Sequence, residues 1–402
     1  MRAAALVATL LLCAVASAGK LSPKELTMNL DYFDICIGTD CWDLKDNAGE
    51  MERLMATCAH YGVDRILFRV SVCGSVCYRS KAMYVAQDAS FKGYEDELLD
   101  TAVGDIPSLI PRMARVMDDI DPLAECVKYG HKYGIKVWGW STIYDSMYYS
   151  PPDEFFQRHP EYTWVSKDGT KHVPGVPCYA YPEVRALRLA EVKEMLGYGV
   201  DGIYLCMRSH SPWPGRGTTG GNEGARGYGF NEPVVREYIR RYGKDPREAK
   251  PDSLDEIRFV KLKGDFLKQF LKEAHAETMK AGVPLAMNTD PSGADPIAAN
   301  WMYIPADDLV REHVIDELSV LAAPSYDFTR YRLLADNKIK CTTFPGIHGR
   351  TYDSCLEQLR SGMTAMLNNP TSDGACFHEL ANVTYLNLWE DGILGPVREW
   401  KP

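Results

Sequence analysis

The sequence predicts an α/β fold, a (β/α)8 TIM barrel with long loops after strands 3 and 4. Short apolar or β-branched runs recur eight times, each followed by a helical pattern. Strands alternating with helices imply parallel crossovers, and eight is the number that closes a barrel. The runs are mostly apolar rather than half polar, as strands covered on both faces are. A punctuation mark repeats between them: Tyr61-Gly62-Val63-Asp64, Tyr133-Gly134-Ile135-Lys136 and Tyr198-Gly199-Val200-Asp201 each close a helix and open a strand. Glycine there suits the left-handed turn at a helix C-terminus.

In chain order, strands are predicted at Thr27–Asp31, Arg65–Val70, Lys136–Ser141, Gly202–Met207, Pro284–Asn288, Leu318–Ala322, Lys340–Phe344 and Gly374–His378. Helices are predicted at Ala48–His60, Pro122–Tyr133, Pro182–Leu196, Leu254–Ala281, Asp307–Val314, Thr329–Ala335, Ser354–Asn368 and Leu386–Leu394. The loop at 151–181 holds a hairpin turning at Lys167-Asp168-Gly169. The loop at 209–228 is rich in glycine and carries arginine. Both follow strands, so both belong to the C-terminal face, where barrel active sites are built.

Residues 1–18 read as a secretory signal peptide. Arg2 precedes an apolar run from Ala3 to Val15, and Ala16-Ser17-Ala18 is a small-residue cleavage site. A secreted or periplasmic protein is expected, with one barrel domain over 19–402 and no membrane span. A net charge of −10 argues against a nucleic-acid partner, which calls for clustered Lys and Arg. The basic stretch at 236–247 is interleaved with acids and reads as a solvated helix face. Of twelve cysteines, Cys13 falls in the leader, so an odd number remains. Cys36/Cys41 and Cys73/Cys77 are near enough in sequence for disulfides, whereas Cys58, Cys126 and Cys355 sit on apolar helix faces as core residues. No paired CxxC and no HExxH pattern is present, so neither a metal nor another cofactor is expected.

Three segments carry a resemblance. HPEYTWVSKDG (159–169), YPEVRALRLAEVKEMLGYGVDGIYL (181–205) and YGFNEPVVREYIRRYGKDP (228–246) resemble the secreted bacterial TIM barrels called glycosyl-hydrolase-like, long catalogued as domains of unknown function. These are distantly similar to the hydrolase domain of the poly-N-acetylglucosamine export machinery. The resemblance implies a glycoside hydrolase acting on a polysaccharide or oligosaccharide, with an acid after the DGI-x-L of strand 4. Here Asp201-Gly202-Ile203 matches, but Tyr204, Cys206 and Arg208 occupy the later acidic positions. These three share one strand face, the interior by this analogy. That carboxylate is therefore missing.

Glycoside cleavage usually needs two carboxyl groups flanking one bond, one able to give a proton. Asn231-Glu232-Pro233 invites an acid/base reading, yet Glu232 lies some two dozen residues past the strand and directly before a helical pattern. A cap at Asn231 with Glu232 in the first turn is the favoured reading. Acids near C-terminal strand ends are Asp31, Asp34, Asp145, Asp290, Asp327 and Glu379. Asp290, beside Asn288, and Glu379, beside His378, form the expected catalytic pair, with Asp327 or Asp145 as substitutes. Singly, each also suits a turn cap or loop support. Glu379, set near Phe377 and Leu380 and so expected to be the more desolvated, is expected to be the acid and Asp290 the base. Strands 5 and 8 are expected to face each other across the mouth, at the inverting spacing of about 6.5–9.5 Å.

Around this pair, Arg69, Trp140, Tyr144, Arg208, His210, Trp213, Asn288, Asp327 and His378 are candidate substrate contacts. Trp and Tyr suit the C–H faces of sugars. Arg69 and Arg208 suit a carboxylate or sulfate on the sugar, or else internal salt bridges with Asp31, Asp145 or Asp290. His210 and His348 are further strand-end histidines, and Trp138 reads as core. Two other functions stay open: a carbohydrate-binding barrel without turnover, and a barrel lyase or isomerase using His and Tyr.

Overall fold

The computed structural model describes residues 22–31, 46–72, 74–85, 109–146, 154–207, 223–299, 302–349 and 351–400. Eight parallel strands close into a barrel in sequence order: β1 (Glu25–Leu30), β2 (Arg65–Arg69), β3 (Lys136–Thr142), β4 (Gly202–Cys206), β5 (Leu285–Thr289), β6 (Glu317–Val320), β7 (Lys340–Thr343) and β8 (Gly374–Phe377). Around it lie α1 (Asn47–His60), α2 (Pro122–Lys132), α3 (Pro182–Gly197), α4 (Leu254–Ala281), α5 (Ala306–Arg311), α6 (Thr329–Leu334) and α7 (Tyr352–Asn368). The protein is a (β/α)8 TIM barrel. Among the described residues, no helix is long and apolar enough to cross a membrane.

Strand register explains the double apolar pattern. The pairs Leu67↔Trp138, Trp140↔Tyr204, Tyr204↔Ala286 and Asn288↔Ser319 place alternate residues on the inner face. Leu67, Trp138, Trp140, Tyr204, Cys206, Ala286, Phe344 and Cys376 form one buried cluster there. Their neighbours Ile66, Phe68, Val137, Ile203, Met287 and Leu318 face outward into a second core under the helices. Each strand therefore buries both faces. Gly202 marks how tightly the interior is filled, because a Cβ there would run into the Trp138 indole. Gly202→Ala is expected to destabilise the fold by about 1–3 kcal/mol through overpacking, measurable by urea unfolding. Unchanged stability would show that Trp138 has room to move.

Gly62, Gly134 and Gly199 have φ values of 73°, 75° and 76°, the left-handed turn that the tyrosine–glycine pairs suggest. The long helix α4 has its expected bounds because Ser253 caps its start, accepting from the Glu256 N–H at 3.3 Å, and Gly282 ends it with φ 73°. Two helices differ from expectation. The chain at 307–314 is helical only to Arg311, since His313 turns to φ 50°. The last segment forms helices at Leu380–Tyr385 and Gly395–Glu399 with a wide π-helical turn at Trp389–Leu394 between them, because Asn387 adopts φ 51°. A short hairpin, Ser71–Val72 with Ser75–Val76, follows β2 and carries no sequence signal of its own.

The floor of the barrel is charged. Arg65 on β2 reaches across to Glu317 on β6 with two bonds, 2.7 and 2.8 Å, and also meets Thr27 at 3.1 Å and Glu25 at 3.0 Å. Lys340 joins the group, 2.5 Å from Glu25 and 3.2 Å from Glu317. This network closes the end of the barrel remote from the strand C-termini.

The insertions after β3 and β4 are tied together. Thr163–Val165 pairs antiparallel with His172–Pro177, turning at Lys167-Asp168-Gly169, with Gly169 at φ 76°. An isolated bridge links Ser166 to Tyr228. Asn231 stands at the N-cap of the helix Glu232–Tyr242, but its amide donates to the Glu161 and Thr163 carbonyls at 3.1 and 2.7 Å rather than capping. Glu232 is exposed and pairs with Arg236 at 3.1 Å, so it serves the first turn of that helix. Lys263 of α4 is buried beneath, donating to the carbonyls of Ala225 and Tyr228, and burial brings its ammonium down to about 7.

Candidate active site at the barrel mouth

Arg69 ends β2 facing inward. It closes salt bridges with Asp31 and, at 3.2 Å, with Asp145, and its guanidinium lies 5.2 Å from the Trp140 ring centroid. All three charged side chains are less than 5% exposed. The internal ion pairs are therefore those formed, and Arg69 and Asp145 hold the mouth together from within. Trp140 is fully buried, ringed by Tyr204, Phe344 and His378 at 6.3, 5.8 and 6.0 Å. It forms the floor under the mouth and offers no surface on which a sugar could stack. Tyr144 is also buried, edge-on to Trp164 and Tyr179, and burial pushes its hydroxyl well up. It anchors the loop after β3. Trp138 is core, as expected.

Asn288 is buried on β5, accepting from the Met207 N–H at 2.6 Å and donating to the Cys206 sulfur at 3.2 Å. It thereby fixes the end of β4 to β5. Asp290 follows, and its Oδ1 accepts from the Ser292 hydroxyl at 2.5 Å and the Gly293 N–H at 2.6 Å. The turn-capping role is thus formed, with both bonds on one carboxylate oxygen. Asp327 is exposed and accepts from the Thr329 hydroxyl and N–H at 2.6 and 2.9 Å, donors that hold its carboxyl below the usual range. It starts α6 and belongs to the surface. Arg208, His210 and Trp213 lie outside the described residues, as do Asp34 and the cysteines at 36, 41 and 73. Cys58, Cys126 and Cys355 are buried core thiols.

One group is drawn together at the end of β8. An isolated parallel bridge joins Gly346 to His378, extending the β7–β8 ladder beyond the barrel. The His378 N–H donates to the Pro345 carbonyl at 2.9 Å, and the Ile347 N–H returns a bond to the His378 carbonyl. Asn382 then holds the Ile347 carbonyl at 2.7 Å. These bonds bring His348 against His378, ring centroids 5.4 Å apart. His378 is buried against Phe344 and Trp140, and its Nδ1 pairs with the Glu379 carboxylate. Glu379 keeps 15% of its side chain exposed. One donor atom from each of His348, His378 and Glu379 lies within 4.8 Å of the others.

A cleft of about 620 Å³ opens beside this group, bounded by Leu321, Phe344, His348 and His378 and by Gln358 and Ser361 of α7. Its lining includes Phe344 and two imidazoles among small and aliphatic residues. Among the expected acids, Glu379 stands beside this cleft, whereas Asp31 and Asp145 are committed to Arg69. β5 and β8 are three places apart in the closed order, one short of facing each other, which corrects the expectation of opposite strands. The cluster escaped sequence reading because thirty residues and all of α7 separate His348 from His378. Its sole signal was histidine at the end of two successive strand predictions.

No protein-family model matches the chain, and no curated protein matches it. Solved structures match its fold. A β-galactosidase from the psychrophilic Marinomonas ef1 aligns at a TM-score of 0.51 and 11% identity, over 88% of this chain and 54% of that one. A pneumococcal exo-β-D-N-acetylglucosaminidase catalytic module aligns at 0.47 and 9%, over 93% and 84%. An α-galactosidase from Geobacillus stearothermophilus aligns at 0.41 and 10%, over 93% and 41%. The chain spans about half the length of the β-galactosidase. At such identities the likeness is one of fold, an eight-stranded parallel barrel that glycoside hydrolases share.

Proposed function

We propose that this barrel is a secreted or periplasmic hydrolase that cleaves glycosidic bonds in a polysaccharide or oligosaccharide. The carrying observation is the Glu379 carboxyl held beside His378, a residue that lines a cleft on the C-terminal face. In this reading the Glu379 carboxyl gives its proton to the leaving oxygen of a sugar seated in the cleft, and the neighbouring imidazole supplies or accepts that proton. Asp290 is the proposed base, its carboxylate oriented by Ser292 and Gly293. Export rests on the pattern of residues 1–18. Preference for an anionic sugar has lost one argument, since Arg69 is neutralised by Asp31 and Asp145.

A second reading keeps one observation in its favour. Tyr204 and Cys206 fill the interior face of β4 where the related barrels carry an acid, and both are buried. That suits a barrel that binds saccharide without turning it over. Purified full-length protein incubated with a panel of glycans separates the two. Release of reducing ends is the expected result. Saturable binding without release would replace the hydrolase by the binding protein.

A further inference from the structure

We propose that His348, His378 and Glu379 form a binding site for a divalent transition-metal ion of the zinc class on the wall of the cleft. Two imidazoles and one carboxylate are a donor set that zinc accepts, and a site with three protein ligands keeps a coordination position open. His348 and His378 are part of the cleft lining, so an ion held by them would border the cleft. Calcium and magnesium prefer all-oxygen surroundings, and copper(I) prefers thiolate or thioether, so this set discriminates against them.

The geometry is close to closed. Tetrahedral zinc with bonds of about 2.0–2.2 Å holds its donors roughly 3.3–3.6 Å apart. The three donor atoms lie within 4.8 Å of one another, so a side-chain movement of about an ångström gathers them. His348 is exposed and can supply that shift, while His378 is held by Phe344 and Trp140. The backbone also makes room. A Cβ at Gly346 would run into the His348 ring, so the absence of a side chain there lets the imidazole lie over the strand extension. The His348 N–H donates to Gln358 at 2.9 Å, tying the ligand loop to α7.

Ligation has a consequence for the same site. A Glu379 carboxylate bound to a cation is held ionised and has no proton to give the leaving oxygen, so an occupied site is an inhibited one. Ion binding itself stands without the hydrolase reading; the inhibition rests on it.

The test uses the full-length protein, stripped with a chelator and dialysed, then titrated calorimetrically with ZnCl2, with CoCl2 as an absorption probe. One ion per chain is expected, together with cobalt d–d bands and no competition from MgCl2. His348→Ala and Glu379→Gln should each weaken zinc by roughly tenfold or more, and Gly346→Val should weaken it without removing a donor. Circular dichroism checks that each variant is folded. No saturable binding, or parent affinity in both ligand variants, overturns the site. Turnover is then read with and without zinc. Zinc-insensitive hydrolysis overturns the inhibition. Hydrolysis that a chelator abolishes and zinc restores overturns Glu379 as proton donor. Zinc binding in a protein that cleaves no glycan leaves this site standing and removes the hydrolase.

Discussion

Glu379→Gln is expected to lower the turnover of a responsive glycan by roughly 10²–10⁴-fold, the contribution typical of a positioned acid or base. The change keeps shape and volume and removes the group that donates the proton. Partial exposure of Glu379 makes the fold tolerant of it. Asp290→Asn is expected to act in the same direction, and with a smaller loss of stability than of activity, because the Asn side-chain oxygen can still accept from Ser292 and Gly293. Steady-state rates from reducing-end release, alongside thermal melting, separate the chemistry from the fold. Parent turnover in both variants would remove these two residues from the mechanism.

Arg65→Met is expected to destabilise the barrel by about 3–5 kcal/mol, the usual result of taking one partner from a buried ion pair. Arg65 and Glu317 are each about 1% exposed, and Glu317 would keep only Lys340 and Thr342 as partners. The double variant Arg65→Met/Glu317→Gln should recover much of the loss, since it leaves no buried charge uncompensated. Urea unfolding of the single and double variants measures both effects. The pair also governs an acid limb. Burial alone would raise the Glu317 carboxyl, but Arg65 and Lys340 outweigh it and bring the group down to about 2. A carboxyl lowered by folding contributes its stability in full above the ordinary glutamate value of 4.5, and that contribution is lost as pH falls toward 2. The parent should therefore weaken across that interval. Arg65→Met should lack this limb, and an identical acid profile in the variant would show that Glu317 owes its ionisation to something else.

Local chemistry alone determined the barrel. Each strand is buried on both faces, so its apolar run shows in sequence without any partner. Ser253, Gly282 and the tyrosine–glycine turns act within a few residues, so helix bounds such as Leu254–Ala281 were legible too. The helix at 307–314 and the last helix depart from their expected bounds because His313 and Asn387 adopt positive φ, a backbone choice that apolar periodicity does not record. The site was legible only as residue types at strand ends. Whether Arg69 meets substrate or Asp31, and whether Trp140 is platform or floor, depend on neighbours from other strands. The same is true of the cluster at the cleft. His348 and His378 are each unremarkable alone, and they meet because a bridge between Gly346 and His378 prolongs two strands past the barrel. Strand alternation is a property of one segment and survives in the sequence. The meeting of side chains depends on register and closure between segments far apart in the chain, and only the tertiary structure decides it.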